Sequence, residues 1–433
     1  MMTKFELIAR KAQQNKGLKF ISLMHYMSEE NLEKCYYKLK KNKACGVDEV
    51  TVEEYGNNLT ENISYLVQRL KTKMYKPQPV KRVYIPKPGK SELRPLGIPA
   101  VEDKMVQMAL KEILETIYEQ DFLNCSHGFR PNKSCHTAIK QLNNAVMKHP
   151  INWVVEVDIE KFFDSVNHDW MMRCLEERIA DPNILWLVRK FLKAGIMESG
   201  KLHESETGTP QGGVISPLLA NIYLHYILDR WFEQKYKPNT KGYVELIRYC
   251  DDFVVVTESE CDAKRFLPEL EQRLAKFGLK ISKEKTRVLK FGRRVWQQAQ
   301  REGKKVETFD FLGFTHYCSK SRKGYFVMMH KTSRRVMISK LQGINKWLRS
   351  IRSIIPLKEW WPTMKAKLIG HYNYFGINGN VHSLQKYYRN ISRMIYKWIN
   401  RRGQKRSMTI KEYLTYLQWN PLPIPRVYHA ILY

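Results

Sequence analysis

The sequence predicts an α+β fold, in which a part built from helices and short antiparallel strands precedes an all-helical part. Two apolar runs rich in β-branched residues flank the segment Tyr249–Asp252 (Tyr-Cys-Asp-Asp), a pattern typical of two strands joined by a tight turn. A second hairpin is indicated between residues 80–85 and 93–98, around a Pro-Gly pair. Beyond residue 330, apolar residues alternate between spacings of four and three, which predicts a small helical bundle.

The elements of the mixed part follow in order along the chain. Residues 1–75 are predicted to be mostly helical, and a helix is predicted again from about Glu102, where apolar residues recur at helical spacing. Residues 153–158 form a short predicted strand that ends in a carboxylate, and a helix follows near 168–179. Ser216-Pro217 is typical of a helix start, with serine as the N-cap and proline at the first helical position.

The remaining elements lie on the C-terminal side of the predicted Asp-Asp hairpin. A helix is predicted near 263–277, and a single strand is predicted at 308–314. Three helices are then predicted, at about 337–351, 359–375 and 384–398.

The net charge narrows the class of binding partner. The 433 residues, a soft indication of two to three domains, carry a formal charge of +31, which favours a polyanionic partner, most often nucleic acid. An anionic membrane is the competing partner, but no apolar run approaches the roughly 18 residues that a membrane span needs. The last 115 residues hold 23 Lys or Arg against two Glu.

The eight cysteines include no Cys-x-x-Cys pair, so we expect buried free thiols in a cytoplasmic protein without a zinc ribbon.

Two adjacent carboxylates at a hairpin tip form a candidate metal site. Like charges side by side are unfavourable unless a cation neutralises them, and Mg²⁺ prefers oxygen ligands. An acidic hairpin turn is the alternative interpretation, because Asp is common in turns. Asp158, which ends the predicted strand 93 residues before Asp251, can lie beside the hairpin and supply a carboxylate from a second element. This is the palm arrangement of template-dependent polymerases, which use two metal ions in phosphoryl transfer.

Nine motifs in one order give the chain a resemblance to bacterial group II intron reverse transcriptases (intron-encoded maturases), from about residue 30 to about 430. The motifs are Asn42–Asp48, Ile85–Pro88, Arg94–Pro99, Gly128–Pro131, Asp158–Asp164, Gly208–Asn221, Tyr249–Asp252, Glu284–Thr286 and Phe311–Phe314. The resemblance implies a right-hand polymerase fold, with fingers and palm followed by an α-helical thumb or maturase domain. It implies an RNA-directed DNA polymerase that extends a primer with dNTPs and also binds intron RNA for splicing and retrohoming.

The resemblance also implies roles for individual residues. The catalytic aspartates are Asp158, Asp251 and Asp252; together with Ile159 they form the implied metal set for two Mg²⁺ ions, which Mn²⁺ can replace. Lys87 and Arg94 match the pair that grips the incoming triphosphate, where a guanidinium forks onto phosphate and Lys adds a point charge. Phe163 matches the sugar gate, and Gln211 matches the residue that contacts the nucleotide. Lys285 matches a possible general acid. The residues implied at the template or primer are Arg130, Gly212, Gly213, Leu312 and Gly313.

The implied organisation has four parts. They are residues 1–115 (N-terminal extension and fingers), 116–318 (palm, interleaved with fingers), 319–384 (thumb or maturase) and 385–433 (a small basic DNA-binding region), with no endonuclease domain expected. The implied partners are an RNA template, intron RNA, a DNA primer or target and dNTPs. Alternatives that remain open are a host-adapted reverse transcriptase in phage defence or DNA repair, an RNA-binding splicing factor with a decayed site, and an RNA-directed RNA polymerase, which Phe163 disfavours.

The sequence departs from the family pattern at Cys250, where the family usually has Ala. Cys is small enough for a tight turn, and we expect an effect on fidelity, on steric tolerance or on sensitivity to oxidation.

Overall fold

The computed structural model describes residues 3–86, 93–198, 201–203, 207–208, 212–403 and 405–431. Its α-helices are α1 Lys4–Gln14, α2 Glu29–Tyr37, α3 Val52–Gly56, α4 Leu59–Lys71, α5 Val101–Tyr118, α6 Cys135–Lys148, α7 Phe162–Ser165, α8 His168–Glu176, α9 Pro182–Leu192, α10 Ser216–Leu224, α11 Glu260–Ala275, α12 Arg293–Arg301, α13 Arg334–Ile351, α14 Leu357–Phe375, α15 Val381–Ile399 and α16 Ile410–Trp419. Its strands are β1 Val80–Pro86, β2 Leu93–Ile98, β3 Trp153–Asp158, β4 Ile196–Glu198, β5 Lys201–His203, β6 Val244–Tyr249, β7 Asp252–Thr257, β8 Arg287–Lys290, β9 Phe309–Phe311, β10 Phe314–Lys320 and β11 Phe326–Thr332.

The mixed and helical parts predicted from the sequence are confirmed. Strands β1 and β2 pair antiparallel, as do β6 and β7, so both predicted hairpins are present. Helices α13, α14 and α15 occupy the three predicted helical segments, and α5 follows the second hairpin. No helix in the described part of the chain is both long and apolar enough to cross a membrane.

The chain divides into two compact units. The first comprises the described residues of Met1–Pro86, Glu92–Ala138 and Val155–Val288; the second contains Ile139–Val154 and the described residues from Leu289 onward. The first unit holds one four-stranded sheet in the order β2-β1-β4-β5 and carries most of a second in the order β6-β7-β3-β8. The apolar helices α5 and α10 are buried along most of their length, which places the core of this unit around them.

The second unit contains a three-stranded sheet in the order β11-β10-β9 and the helices from α12 onward. Its core is aromatic-rich because the inward positions of α13, α14 and α15 carry large side chains. Buried members of this core are Phe314, Leu348, Trp360, Trp361, Met364, Leu368, Tyr372, Leu384, Tyr387, Ile391 and Ile395.

Two local predictions are wrong. Helix α10 begins at Ser216 itself, and Ile215 occupies the cap position without a side-chain hydrogen bond, so Ser216 is not the N-cap. The strand predicted at 308–314 is two strands, β9 and β10, which turn at Leu312-Gly313. Both turn residues have positive φ, 51° and 79°, as a tight hairpin turn requires. Apolar continuity through the turn concealed it, because Leu312 is itself hydrophobic.

Candidate active site

The hairpin of β6 and β7 presents its carboxylates at a two-residue turn. Tyr249 pairs with Asp252 at the end of the ladder, so Cys250 and Asp251 form the turn. Residues 253–257 of β7 are all buried, because β7 is an inner strand between β6 and β3. The structure therefore anchors a charged turn on a strand that cannot shift without disturbing the core.

Asp158, at the end of β3, is placed beside this turn by the strand order. Its backbone carbonyl accepts from the Ser282 N–H at 2.8 Å, and the next residue, Ile159, forms a bridge with Ile281. Burial raises the pKa of the Asp251 carboxyl above its usual range, and the negative charge of Asp158 raises it further. The two predicted aspartates thus lie near enough for their charges to repel.

A lysine balances part of this negative charge. The Nζ of Lys285 lies 2.6 Å from Oδ2 of Asp158, with 55% and 43% of the two side chains exposed. Lys285, predicted as a general acid, is therefore at the carboxylates. Because both groups are largely hydrated, the pair can separate at little cost when a competing cation or anion arrives.

The donor set fits a hard divalent cation. Two carboxylates, one at the end of β3 and one in the turn before the neighbouring strand β7, supply the oxygen ligands that Mg²⁺ prefers, and a cation between them would relieve their repulsion. Asp252 is exposed, and among the described residues no three His, Cys, Asp or Glu side chains form a cluster that could hold a metal ion. Asp158 and Asp251 are thus the pair brought together. Ile159 has a hydrocarbon side chain, so only its main-chain oxygen could serve as a ligand.

The residues predicted to hold the nucleotide are described in part. Lys87 and Gln211 lie outside the described residues. Arg94 is exposed on β2, and its positive charge lowers the pKa of Asp251, so it lies on the side of the first unit that carries the aspartates. Phe162 is 2% exposed, whereas Phe163 is half-buried against it, with ring centroids 5.3 Å apart. The two adjacent rings therefore divide into one core residue and one that is partly accessible.

Glycines are required where the Gly208–Asn221 motif approaches its neighbours. A Cβ on Gly212, whose φ is +109°, would lie 2.4 Å from the carbonyl oxygen of Gly97 on β2. Gly212 is exposed and Gly213 is buried. A Cβ on Gly208 would lie 2.9 Å from the carbonyl oxygen of Phe163. The backbone of the motif therefore passes close to β2 at Gly212 and close to α7 at Gly208.

Arg130 has an internal role that the sequence did not reveal. Its Nε and Nη2 donate to both carboxylate oxygens of Glu119 at 2.7–3.2 Å, and its Nη1 donates to the carbonyls of Leu123 and Ser126. The guanidinium also lies over the Phe122 ring, and the residue is 9% exposed. Most of its donors are thus used inside the fold, and the template contact by Arg130 stays a prediction.

Leu312 and Gly313, predicted at the primer, form the β9–β10 turn in the second unit. The Tyr374 hydroxyl donates to the Leu312 carbonyl at 3.0 Å, and a Cβ on Gly313 would lie 3.6 Å from the Phe375 ring. The turn is therefore seated on α14.

The Cys250 thiol is a poor target for oxidation. The residue is 3% exposed, and burial raises the pKa of its thiol well above the usual range, with the neighbouring Asp251 charge acting in the same direction. Because thiolate is the reactive form, the expected sensitivity to oxidation has no support in the structure. Cys250 adopts a φ of 59°, a left-handed conformation in the turn.

A buried polar network beneath the turn was not predicted from the sequence. Arg248 is fully buried and donates from Nε to Asp229 Oδ1 at 2.7 Å, from Nη2 to Asp229 Oδ2 at 2.5 Å and from Nη1 to the Cys250 carbonyl at 2.9 Å. Asn221 and Ser126 accept its other bonds at 3.0 and 2.8 Å. The available signal was an arginine directly after the apolar pair Leu246-Ile247 in a predicted core strand, since a buried cation needs an acidic partner.

Comparison with known proteins gives one family match and several relatives. The family described as reverse transcriptase (RNA-dependent DNA polymerase) matches residues 85–316, just over half of the chain. The group II intron-encoded protein LtrA of Lactococcus lactis subsp. cremoris is 35% identical over 303 residues, which is 67% of this chain and 50% of the relative. Protein YkfC of Escherichia coli K12 is 36% identical over 252 residues, 51% of this chain and 66% of YkfC. The chain spans about half the length of LtrA.

Proposed function

The chain belongs to the reverse transcriptase (RNA-dependent DNA polymerase) family, and on this premise we propose that it extends a primer on an RNA template with dNTPs. The observation that carries the proposal is that Asp158, at the end of β3, lies close enough to Asp251, in the turn before the neighbouring strand β7, for the two charges to repel. Such a pair is what two-metal phosphoryl transfer requires of a protein.

The site residues divide the work of this reaction. Asp158 and Asp251 would hold Mg²⁺, which would supply charge stabilisation for the attacking and leaving oxygens. Arg94, together with Lys87, binds the triphosphate through charge-assisted hydrogen bonds. The ring of Phe163 contacts the sugar and excludes a 2′-hydroxyl. Lys285 leaves Asp158 for the phosphates and donates a proton to the departing pyrophosphate.

We propose further that the chain binds intron RNA as a maturase, with the four-part organisation predicted from its sequence. The supports are its similarity to an intron-encoded protein and the charge of its C-terminal part, where 23 Lys or Arg face two Glu. Positive charge of this density binds the phosphate backbone without regard to sequence.

Primer extension on an RNA template with dNTPs and Mg²⁺ tests the proposal. We expect extension by the wild-type chain. In Asp251→Ala we expect kcat to fall by at least about a thousandfold, because removing one group that stabilises the transition state lowers kcat by this order. Asp169→Ala is the matched control, since Asp169 is an exposed carboxylate on α8 of the same unit. Full extension by Asp251→Ala would refute the assignment of Asp251 to the active site. If the wild-type chain binds RNA but does not extend a primer, the result favours an RNA-binding splicing factor instead.

A further inference from the structure

The segment that follows β3 is fastened to Thr207 and Gly208, where the glycine-rich motif begins. The N–H of Gly208 donates to the carbonyl of Val166 at 2.8 Å, and Thr207 forms an antiparallel bridge with Asn167. The Thr207 hydroxyl also donates to the carbonyl of Asp164 at 3.3 Å. These bonds join two segments that are distant in the sequence at one crossing point.

The crossing point lies against the backbone of Phe163. A Cβ added to Gly208, whose φ is +89°, would lie 2.9 Å from the carbonyl oxygen of Phe163 and 3.0 Å from the Cα of Asp164. Only a glycine fits so close an approach. Phe163 belongs to α7, which has four residues, and a helix this short is not stable by itself. The position of Phe163 therefore depends on what holds Gly208 in place.

A buried histidine holds the carbonyl of Gly208. This carbonyl oxygen lies 2.7 Å from Nε2 of His168, the first residue of α8, and His168 is 7% exposed. Because a carbonyl oxygen can only accept, Nε2 carries the proton and donates it to this bond. Gly208 is thus bonded at its N–H by Val166 and at its carbonyl by His168. Of these two bonds, the one to His168 is made by a side chain and can be removed by substitution.

We propose that His168 is a positioning residue for the sugar gate, and that it sets the selectivity for dNTP over rNTP by holding Gly208 against the backbone of Phe163. This inference rests on the proposed function, in which the ring of Phe163 contacts the sugar of the incoming nucleotide. His168 is buried and acts through Gly208. A 2′-hydroxyl adds little volume, so a ring rejects it only if the ring is held within about 0.5 Å of its working position.

Incorporation of a single dNTP or of the matching rNTP tests the inference, because the ratio of the two kcat/KM values measures the selectivity of the gate. His168→Gln places an amide N–H at the same number of bonds from the backbone, so its selectivity should stay within about twofold of wild type. His168→Asn is one methylene shorter and cannot reach the carbonyl. We expect its selectivity to fall at least about fivefold, because a buried carbonyl loses its donor. His168→Leu, which has no donor, should lose as much as His168→Asn. Equal selectivity in the Gln and Asn variants overturns the inference.

A double variant shows whether His168 acts through the gate. Phe163→Ala should lower the selectivity at least about tenfold, and adding His168→Asn should change it by less than about twofold more, because the residue that His168 positions is then missing. Losses that multiply in the double variant overturn the inference. His225→Leu is the matched control, since His225 is a 3%-exposed histidine of the same unit whose ring packs against that of Phe122. Its selectivity should stay within about twofold of wild type.

The failure of this inference and the failure of the proposed function give different results. If the wild type extends a primer with neither nucleotide, the proposed function is refuted. If Phe163→Ala keeps the wild-type selectivity, the sugar gate is refuted and the inference with it. If Phe163→Ala lowers the selectivity while His168→Asn and His168→Leu keep it, the inference alone is overturned. Thermal unfolding shows which variants are folded, and either His168→Asn or His168→Leu is sufficient for the test.

Discussion

Replacement of Arg248 by methionine tests two effects of this residue: its contribution to the stability of the protein and its support of the Cys250-Asp251 turn. Arg248 lies under the turn with its charge paired to Asp229, and both side chains are 0% exposed. Burial opposes the charged form of Arg248, but the Asp229 carboxylate outweighs burial and raises the pKa of the guanidinium. Methionine keeps much of the length of the side chain while removing the charge and every donor. The Asp229 carboxylate is then buried without its cation.

The magnitude follows from this uncompensated charge. Breaking a buried pair by removing one partner costs about 3–5 kcal/mol, a large fraction of the ~5–15 kcal/mol that stabilises a typical protein. The double variant Arg248→Met/Asp229→Leu removes both charges and should recover most of that stability, because a buried pair is often replaceable by apolar residues. It does not restore the donor to the Cys250 carbonyl, so extension should remain at least about tenfold below wild type.

Urea unfolding and primer extension, measured on the same preparations, form the assay. Arg287→Met is the matched control: Arg287 pairs with Glu156 at 2.6 Å, but its side chain is 51% exposed, so the loss should stay within about 0–1 kcal/mol. The reasoning is refuted if Arg248→Met costs no more than Arg287→Met. It is also refuted if the double variant regains wild-type extension, since the bond to the Cys250 carbonyl would then be dispensable.

Two further predictions concern the turn. Burial and the Asp158 charge raise the pKa of Asp251, so its contribution to stability is present at low pH and is lost as pH rises through the raised pKa. Asp251→Asn, which cannot ionise, should therefore raise the Tm of the metal-free protein at pH 8 and not at pH 4; equal shifts at both pH values would contradict this. Iodoacetamide at pH 8 should modify the exposed Cys261 well before the buried, protonated Cys250, as peptide mass spectrometry would show; equal labelling rates would contradict the buried thiol.

The elements that the sequence predicted well are those whose side-chain pattern is local. The apolar flanks of the β6–β7 hairpin and the regular spacing of α13 to α15 each lie within one segment of chain. The short strands β4, β5 and β8 were missed, because three or four residues carry too little pattern to stand out from loops. The cap assigned to Ser216 failed for a related reason: the Ser-Pro pair is compatible with two helix starts one residue apart.

The sequence by itself determined the family of this protein and predicted its chemistry. Paired aspartates, a strand that ends in a third carboxylate and a strong positive charge indicate metal-dependent work on nucleic acid, because these properties belong to the residues themselves. Only the tertiary structure decided which side chains are available to a ligand. Arg130 and Phe129 are neighbours in one motif. The guanidinium of Arg130 is hydrogen-bonded to Glu119 and two backbone carbonyls, whereas the side chain of Phe129 is exposed to solvent. The burial of a side chain and its hydrogen-bond partners depend on segments that are distant in the chain, so the local sequence pattern does not reveal them.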